Sequence, residues 1–306
     1  MAALPRETFD LDRVAPFDPG AMDGDPAEYL AAREAGIADI VPGTEKRVVW
    51  AGEPGARQDW AVVYLHGFSA SSQEIRPVPG DVADALGANL VLTRLDGHGR
   101  DGAALAQADA ERWMADVAEA YGVARAVGER VLVIATSTGG TLAVLAASRP
   151  DIFGDVAGIA AISPNFGVDV DGLGVLTWPA AAWWLPLILG ETGGFEPVSD
   201  DHARYWTESF PIRALLPMAA SVVALDRVAP GEIAVPLMVV YSPADEIVSP
   251  AATREMAAAW GGPVRMMEVE PGPGIDPAAH VIAGEILSPG STPEVTAAIR
   301  DWARGL

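Results

Sequence analysis

Short apolar segments typical of buried strands alternate along this chain with segments of helical periodicity. Helical patterns lie between the strands; in residues 109–127, for example, Trp113, Val117, Tyr121 and Ala124 recur on one helix face. Strands that alternate with helices form a mostly parallel sheet covered by helices on both faces. We therefore predict an α/β fold with a mostly parallel central sheet. The predicted strands are residues 60–65, 89–92, 131–135, 156–162, 236–241 and 264–269.

One long segment lacks this alternation. Residues 164–231 are rich in tryptophan, proline and leucine and show no strand pattern. Because the alternation resumes afterwards, we predict an inserted helical cap and not a separate C-terminal domain. Asp25 before Pro26, and Thr292 before Pro293, predict the caps of the first and last helices. The predicted units are an N-terminal extension, the two parts of the core and the cap, at residues 1–45, 46–163, 232–306 and 164–231.

The charge and the apolar stretches exclude several classes of protein. The 306 residues carry a formal net charge of −22 at pH 7, which repels phosphate backbones and anionic lipids, so we expect no nucleic-acid partner. The longest apolar stretch, residues 173–189, contains Gly174, Pro179 and Pro186 and is shorter than the ~20 residues that span a bilayer. No apolar signal core follows the N-terminus. We expect a cytoplasmic protein without stable membrane insertion.

The functional hypothesis starts where the predicted strand 131–135 turns into a helix. Ser137 stands at this corner, in Ala135-Thr136-Ser137-Thr138-Gly139-Gly140, and the chain contains no cysteine that could be the nucleophile instead. Small residues two positions on either side let the strand and the helix approach closely around a strained corner residue. The hydroxyl is then held where helix amides face developing negative charge. A simple helix cap is the alternative, but it does not require glycine two positions later.

A serine nucleophile needs an adjacent base, and the chain has four histidines. His66 and His98 lie in turns after early strands and are typical of residues that organise loops. His202 lies beside acidic residues in the cap, which indicates a solvated position. His280 follows the last predicted strand in a loop rich in glycine and proline, from which it can reach the sheet edge that carries Ser137. We therefore assign His280 as the base.

The base in turn needs a carboxylate that fixes its tautomer and stabilises the imidazolium. Asp245 lies in the loop just past the predicted strand 236–241, at the same sheet edge, and is our choice. Glu246, directly after it, and Asp276, which is close to His280 in the sequence, are the alternatives.

Two backbone amides are expected to bind the oxyanion. One is the amide of Thr138, directly after the nucleophile. The other is the amide of Phe68, in the loop that follows the first central strand. Since the loss of one such donor typically lowers the rate on the order of 10²–10³-fold, both amides are predicted parts of the site.

Taken together, these motifs resemble the α/β-hydrolase superfamily, whose nucleophile, acid and base follow one another in this order. The chain is most similar to the bacterial carboxylesterase and monoacylglycerol-lipase group, over residues 48–302 with the exception of the cap. Ala135 stands where the family usually has glycine. The resemblance implies neither a metal nor an organic cofactor. The residues that carry it are Ser137, Asp245 and His280, the loop His66-Gly67-Phe68-Ser69 and the turn Asp96-Gly97-His98-Gly99.

What the resemblance implies is a serine hydrolase that cleaves small-molecule esters with short or medium acyl chains, or monoacylglycerol-like lipids. In the cap, Trp178, Trp183, Trp184 and Leu187 are expected to form an apolar roof that binds the acyl or alkyl chain. The alternative is that these side chains only dock the cap on the core.

Other functions are compatible with the same residues. A carbon–carbon bond hydrolase or an acyltransferase would use the same triad. A peptidase acting on N-terminal residues would need a carboxylate in the cap to bind the free amine, and Glu191, Glu196 and Asp200 are candidates. A ligand-binding module without catalysis is a further alternative, although such proteins often lose a member of the triad.

Overall fold

A seven-stranded sheet forms the centre of the molecule. The computed structural model describes residues 8–167, 178 and 180–306. Neighbouring strands are parallel, except that the first strand runs antiparallel to its neighbour at one edge. In sheet order the strands are β1 (Arg47–Val49), β3 (Asn89–Leu92), β2 (Gln58–Leu65), β4 (Gly128–Thr136), β5 (Val156–Ile162), β8 (Leu237–Tyr241) and β9 (Val264–Glu268).

Helices cover both faces of this sheet, which confirms the predicted α/β fold. On one face lie α2 (Val78–Leu86) and α10 (Thr292–Ala303). On the other face lie α4 (Ala110–Val127), α5 (Thr138–Ala147), α8 (Leu215–Ala224) and α9 (Pro250–Ala259). Two further helices are α1 (Pro26–Glu34), which packs on β1 and α4, and α3 (Gly102–Leu105).

Strand β2 shows how the sequence produces the layers. Val62 and Tyr64 belong to the hydrophobic cluster on one face, whereas Ala61, Val63 and Leu65 belong to the cluster on the other. All five side chains are buried. Because successive side chains of a strand point to opposite faces, a strand covered on both sides is a continuous apolar run. This pattern is the one from which the strand was predicted.

Two core elements, β1 and α2, were not predicted, and the last helix has a different cap from the predicted one. The edge strand β1 has only three residues, and α2 begins with Val78-Pro79-Gly80, so neither shows a clear pattern in the sequence. Thr292 is the first residue of α10 and not its cap. Its hydroxyl donates to the carbonyl of Ser288 and accepts from the amide of Gly284. Thr292 therefore fastens the preceding loop.

The chain leaves the sheet between β5 and β8. The described part of this insertion contains α6 (Ala181–Leu189), α7 (Asp200–Tyr205), α8 and an antiparallel pair formed by β6 (Thr192–Gly194) and β7 (Ser209–Pro211). The strand pair was not predicted, because β6 consists of Thr-Gly-Gly and glycine is depleted in strands. Gly194 is required there, since a Cβ atom would lie 2.2 Å from the carbonyl oxygen of Glu208.

Residues 173–177 and 179 of the apolar stretch 173–189, which was considered as a membrane span, lie outside the described residues. Its later part forms α6, which contains Pro186. Among the helices that the structure describes, none combines the length and the apolar character needed to cross a membrane.

The N-terminal segment packs on the core through α1. Its start agrees with the prediction, because the Asp25 carboxylate accepts hydrogen bonds from the amides of Ala27 and Glu28. Leu30 of this helix is buried in the hydrophobic cluster on the α4 side of the sheet. The described part of the segment, residues 8–45, thus supports the core and lines no part of the cavity described below.

A buried charged network joins this segment to α4. The Lys46 ammonium lies 2.6 Å from Asp116 Oδ1 and 2.5 Å from Glu119 Oε2. Glu119 also accepts hydrogen bonds from Tyr29 and Arg33 of α1. Burial alone would lower the pKa of Lys46, but the two adjacent carboxylates outweigh burial and raise it. Lys46 therefore remains charged inside the protein.

Candidate active site

The candidate site lies where the strand order of the sheet reverses. From β2 the chain continues to β3 on one side and then crosses to β4 on the other. Ligands of open parallel sheets bind beyond the carboxyl ends of the strands at such a point. The loop after β2 carries Phe68, and the turn after β4 carries Ser137. The topology thus brings the predicted nucleophile and the predicted oxyanion loop to the same edge.

Ser137 occupies a strained turn between β4 and α5. Its φ of 50° and ψ of −116° are unusual for a residue with a side chain. The turn is possible because the elements on either side approach closely. A Cβ atom at Gly139 would lie 2.2 Å from the Leu65 carbonyl oxygen, and one at Gly140 would lie 2.7 Å from the Pro164 side chain. This crowding explains why both positions are glycine.

Three predicted residues meet at this corner. His280 Nε2 lies 3.0 Å from the Ser137 hydroxyl oxygen, and His280 Nδ1 lies 2.9 Å from Asp245 Oδ2. The three residues lie in loops that follow three different strands. Ser137 and His280 are 143 positions apart in the sequence. The imidazole can accept the serine proton at Nε2 while Nδ1 donates to the carboxylate.

The structure distinguishes among the three candidate carboxylates. Asp245 has a buried side chain, and its second oxygen accepts hydrogen bonds from the amides of Ile247 and Val248. Glu246 is exposed. Asp276 accepts hydrogen bonds from the backbone amides of His280 and the following residue, so it shapes the loop that carries the base. Only Asp245 contacts the His280 ring among these three.

The predicted oxyanion amides belong to the two turns that meet at Ser137. Thr138 is the first residue of α5, and its amide has no helical partner. Within the described ranges neither this amide nor that of Phe68 donates a hydrogen bond. A Cβ atom at Gly67 would lie 3.2 Å from Ser137 Cβ, so the loop that carries Phe68 approaches the nucleophile directly.

His66 and His98 are buried behind the oxyanion loop. His66 donates from Nδ1 to the Gly67 carbonyl and accepts at Nε2 from the amide of Leu95. Burial lowers the pKa of His66 to about 4 and that of His98 well below its usual value. The two rings lie 4.9 Å apart, and His98 also packs on Phe68. Both histidines stay neutral and organise the loops around the site.

The interpretation of His202 as a solvated residue was wrong. Its side chain is buried, stacks on Phe195 and makes an edge contact with Trp206, each at 4.8 Å. Its Nδ1 accepts a hydrogen bond from the amide of Val198, and burial lowers its pKa. In the short helix α7 the acidic neighbours face outward while His202 faces the cavity.

An apolar cavity of about 860 Å³ opens above Ser137. Side chains from both the core and the insertion line it. The polar part of the lining is small and includes Glu74, Asn165 and His202 besides the triad serine and histidine. Apolar lining residues include Trp184, Leu185, Phe210, Leu215, Met218 and Val281.

Of the four predicted roof residues, only Trp184 lines this cavity. Trp183 and Leu187 are 68% and 83% exposed and lie on the outer face of α6, and Trp178 is also exposed and outside the lining. Residues four apart in a helix share a face, so Trp183 and Leu187 point away together. The assignment of these three residues to the cavity wall is therefore corrected, and Leu185 and Ile188 line the wall with Trp184.

Two buried polar residues of the lining were not predicted. Glu74 lies in the loop after the predicted Phe68 turn, and Asn165 follows β5. The amide of Asn165 donates to the Ser137 carbonyl, which supports the strained corner. Its position just past a strand end is the only signal of a role in the sequence. No group of three or more His, Asp or Glu side chains in the described residues is arranged to hold a metal ion.

Solved structures with the same fold include lipolytic enzymes. One of two metagenome-derived lipolytic enzymes superposes with a TM-score of 0.70 at 19% identity, over 88% of this chain and 100% of its own. The monoacylglycerol lipase of Paleococcus ferrophilus superposes with a TM-score of 0.60 at 17% identity, over 85% of this chain and 99% of its own. A soluble variant of the monoglyceride lipase of Saccharomyces cerevisiae superposes with a TM-score of 0.63 at 13% identity, over 85% of this chain and 90% of its own. At these identities the similarity establishes the fold.

Sequence comparison gives a family. No curated protein sequence matches the chain. The serine aminopeptidase family, S33, matches residues 56–272, which is more than half of the chain. The matched range includes Ser137 and Asp245, and His280 lies shortly after it. The chain therefore belongs to the serine aminopeptidase family S33, with the fold of an α/β-hydrolase.

Proposed function

We propose that this protein hydrolyses carboxylic esters through an acyl-enzyme formed on Ser137. The observation that carries the proposal is the continuous series of hydrogen bonds from Ser137 through His280 to Asp245, at 3.0 and 2.9 Å. A nucleophile within reach of a base that a third group orients is the arrangement that activates a serine. The lipolytic enzymes and the monoacylglycerol lipase that share the fold support an ester as the substrate.

In the proposed reaction, the Ser137 hydroxyl attacks the ester carbonyl while its proton passes to His280 Nε2. The amides of Phe68 and Thr138 stabilise the oxyanion. The imidazolium, held by Asp245, returns the proton to the leaving alcohol as the C–O bond breaks. A water molecule then loses a proton to His280 and attacks the acyl-enzyme, which releases the acid.

The cavity supports an uncharged, apolar acyl or alkyl group on the ester. Its wall is mainly aliphatic and aromatic, and its volume of about 860 Å³ lies in the range of small-molecule sites. Glu196 and Asp276 line it, and the whole chain carries a net charge of −22, so anionic substrates are disfavoured. We therefore propose esters of short to medium chain, or monoacylglycerol-like lipids, as substrates.

An aminopeptidase activity is the second candidate, because Glu196 lies in the cavity wall and could bind a free amine; Glu191 and Asp200 do not line the wall. A panel of p-nitrophenyl esters and aminoacyl p-nitroanilides separates the two. We expect ester turnover, with kcat/KM rising from acetate to medium chains because each buried methylene contributes about 0.8 kcal/mol. We expect no comparable turnover of the anilides. Faster cleavage of the anilides than of every ester would reject the esterase proposal.

A matched pair of leucines in α6 tests the acyl-binding wall. Leu185 is 2% exposed and lines the cavity, whereas Leu187, two positions later, is 83% exposed and does not. We expect Leu185→Ala to lower kcat/KM for a medium-chain ester by about tenfold, chiefly through KM, because the chain loses apolar contacts. Leu187→Ala should leave both constants unchanged. Equal effects of the two substitutions would show that this wall does not bind the chain.

A further inference from the structure

A buried carboxyl group in the cavity has no part in the mechanism above. Glu74 is 2% exposed, and it lines the cavity together with Ser137. An acidic side chain is seldom buried in an apolar wall unless its hydrogen bonds compensate for the loss of hydration. The contacts of Glu74 therefore indicate what it does.

Glu74 joins the two strand ends that carry the site. Its Oε2 accepts hydrogen bonds from the Tyr64 hydroxyl, at 2.7 Å, and from the Gly67 amide, at 2.8 Å. The Tyr64 hydroxyl in turn lies 3.2 Å from Thr136 Oγ1, directly before Ser137. Tyr64 belongs to β2 and Thr136 to β4. One carboxyl oxygen thus links the oxyanion loop to the strand that presents the nucleophile.

The bond to Gly67 bears directly on the oxyanion site. Gly67 precedes Phe68, so fixing the Gly67 amide fixes the start of the segment that presents the Phe68 amide. A Cβ atom at Gly67 would lie 2.8 Å from Glu74 Oε1 and 3.2 Å from Ser137 Cβ. Glu74 and Ser137 therefore enclose this glycine from two sides, and a shift of either side chain would move the loop.

We propose that Glu74 is a positioning residue which, as a neutral acid, holds the Phe68 amide in place for the oxyanion by binding the Gly67 amide. The inference rests on the proposed function in one respect, namely that the Phe68 amide binds an oxyanion. A neutral group is suited to this place, since a carboxylate beside the developing oxyanion would oppose it.

Burial and the free oxygen Oε1 favour the neutral form of Glu74, although the hydrogen bonds to Oε2 favour the charged form. Both donors converge on Oε2, whereas Oε1 accepts no hydrogen bond from any described residue. An ionised Oε1 facing an apolar wall would lack compensation, whereas a protonated one is a neutral hydroxyl. Burial raises the pKa of Glu74, against the hydrogen bonds from Gly67 and Tyr64 and the nearby His280. Burial also raises the pKa of Tyr64, so the phenol keeps its proton and donates it.

The test compares Glu74→Gln with Glu74→Leu by the rate at which a fluorophosphonate labels Ser137, followed by intact mass. Glutamine keeps a carbonyl oxygen for both donors and is the nearest mimic of the neutral acid, so we expect labelling within about threefold of wild type. Leucine keeps the volume but accepts no hydrogen bond. We expect labelling, and kcat for a p-nitrophenyl ester, to fall on the order of 10²-fold with KM little changed.

Each outcome decides a different point. A wild-type protein that is not labelled would reject the proposed function, and the role of Glu74 with it. Wild-type rates in a folded Glu74→Leu variant would reject the role of Glu74 alone. Slow labelling of Glu74→Gln would show that the charge is required and not the neutral acid. If Glu74→Leu does not fold, Glu74→Asp replaces it, since its shorter side chain withdraws from the Gly67 amide; normal labelling of that variant would also overturn the proposal.

Discussion

Replacing Ser137 with alanine is expected to lower kcat for ester hydrolysis by at least about 10⁴-fold. The substitution removes only the oxygen that lies 3.0 Å from His280 Nε2 and leaves the oxyanion amides and the cavity in place. What remains is the modest catalysis by the oxyanion amides and substrate binding. The measurement is kcat with a p-nitrophenyl ester, accompanied by thermal unfolding to establish that the variant is folded.

Ser163→Ala is the matched control for this substitution. Ser163 follows β5 as Ser137 follows β4, and both have a positive φ. The Ser163 hydroxyl is buried, has no hydrogen-bond partner among the described residues and does not line the cavity. We expect Ser163→Ala to keep kcat within a few-fold of wild type. Activity of Ser137→Ala close to that of Ser163→Ala would exclude Ser137 as the nucleophile.

The sequence predicts this corner well because its constraints are local. A buried strand leads into a small residue, Ala135, followed two positions later by Ser137 and two positions after that by Gly139, and the geometry of the turn requires this spacing. His280 and Asp245 could be selected for a similar reason, since each lies in a loop directly after a predicted strand. The carboxyl ends of parallel strands meet at one edge, so the topology brings loop residues together that are distant in the sequence.

The cap was harder to predict because its residues have no periodic relation to the sheet. In α6 nearly every side chain is apolar, so the sequence does not indicate which face is buried. Trp184 faces the cavity and Trp183 faces solvent, although they are adjacent. His202 was assigned to solvent on the basis of its acidic neighbours, but a helix of six residues can turn one side chain inward while the others stay outside.

Buried polar residues were equally difficult to predict, because their burial depends on partners far away in the chain. Glu74 is paired with Tyr64 and Gly67, and nothing in its immediate sequence distinguishes it from an exposed acid. Lys46 lies 70 residues from Asp116 and 73 from Glu119. A single lysine has no pattern from which such partners could be inferred, although it joins the N-terminal segment to α4.

Lys46→Met is accordingly expected to lower the free energy of unfolding by about 3–5 kcal/mol, because it leaves Asp116 in the interior without a cation and leaves Glu119 with only the exposed Arg33 as its cation. The loss should be smaller at pH 5 than at pH 8. Burial raises the pKa of Asp116 to about 6, although Lys46 opposes this shift, and without Lys46 the pKa rises further. Asp116 of the folded variant then keeps a proton that the unfolded chain releases above about pH 4. The stability of the variant therefore falls as the pH rises from about 4 to the raised pKa of Asp116.

Arg112→Met is the control, since it removes the same charge from the surface of α4, the helix that carries Asp116 and Glu119. Arg112 is 63% exposed and pairs with Asp96 and Asp109 at 3.4 and 3.2 Å. Solvent screens such pairs, so we expect a loss of no more than about 1 kcal/mol with little dependence on pH. Both variants are compared by urea unfolding at the two pH values. Equal losses would mean that the buried network contributes no more than a surface ion pair, and that the apolar contacts of residues such as Leu30 hold the N-terminal segment on the core.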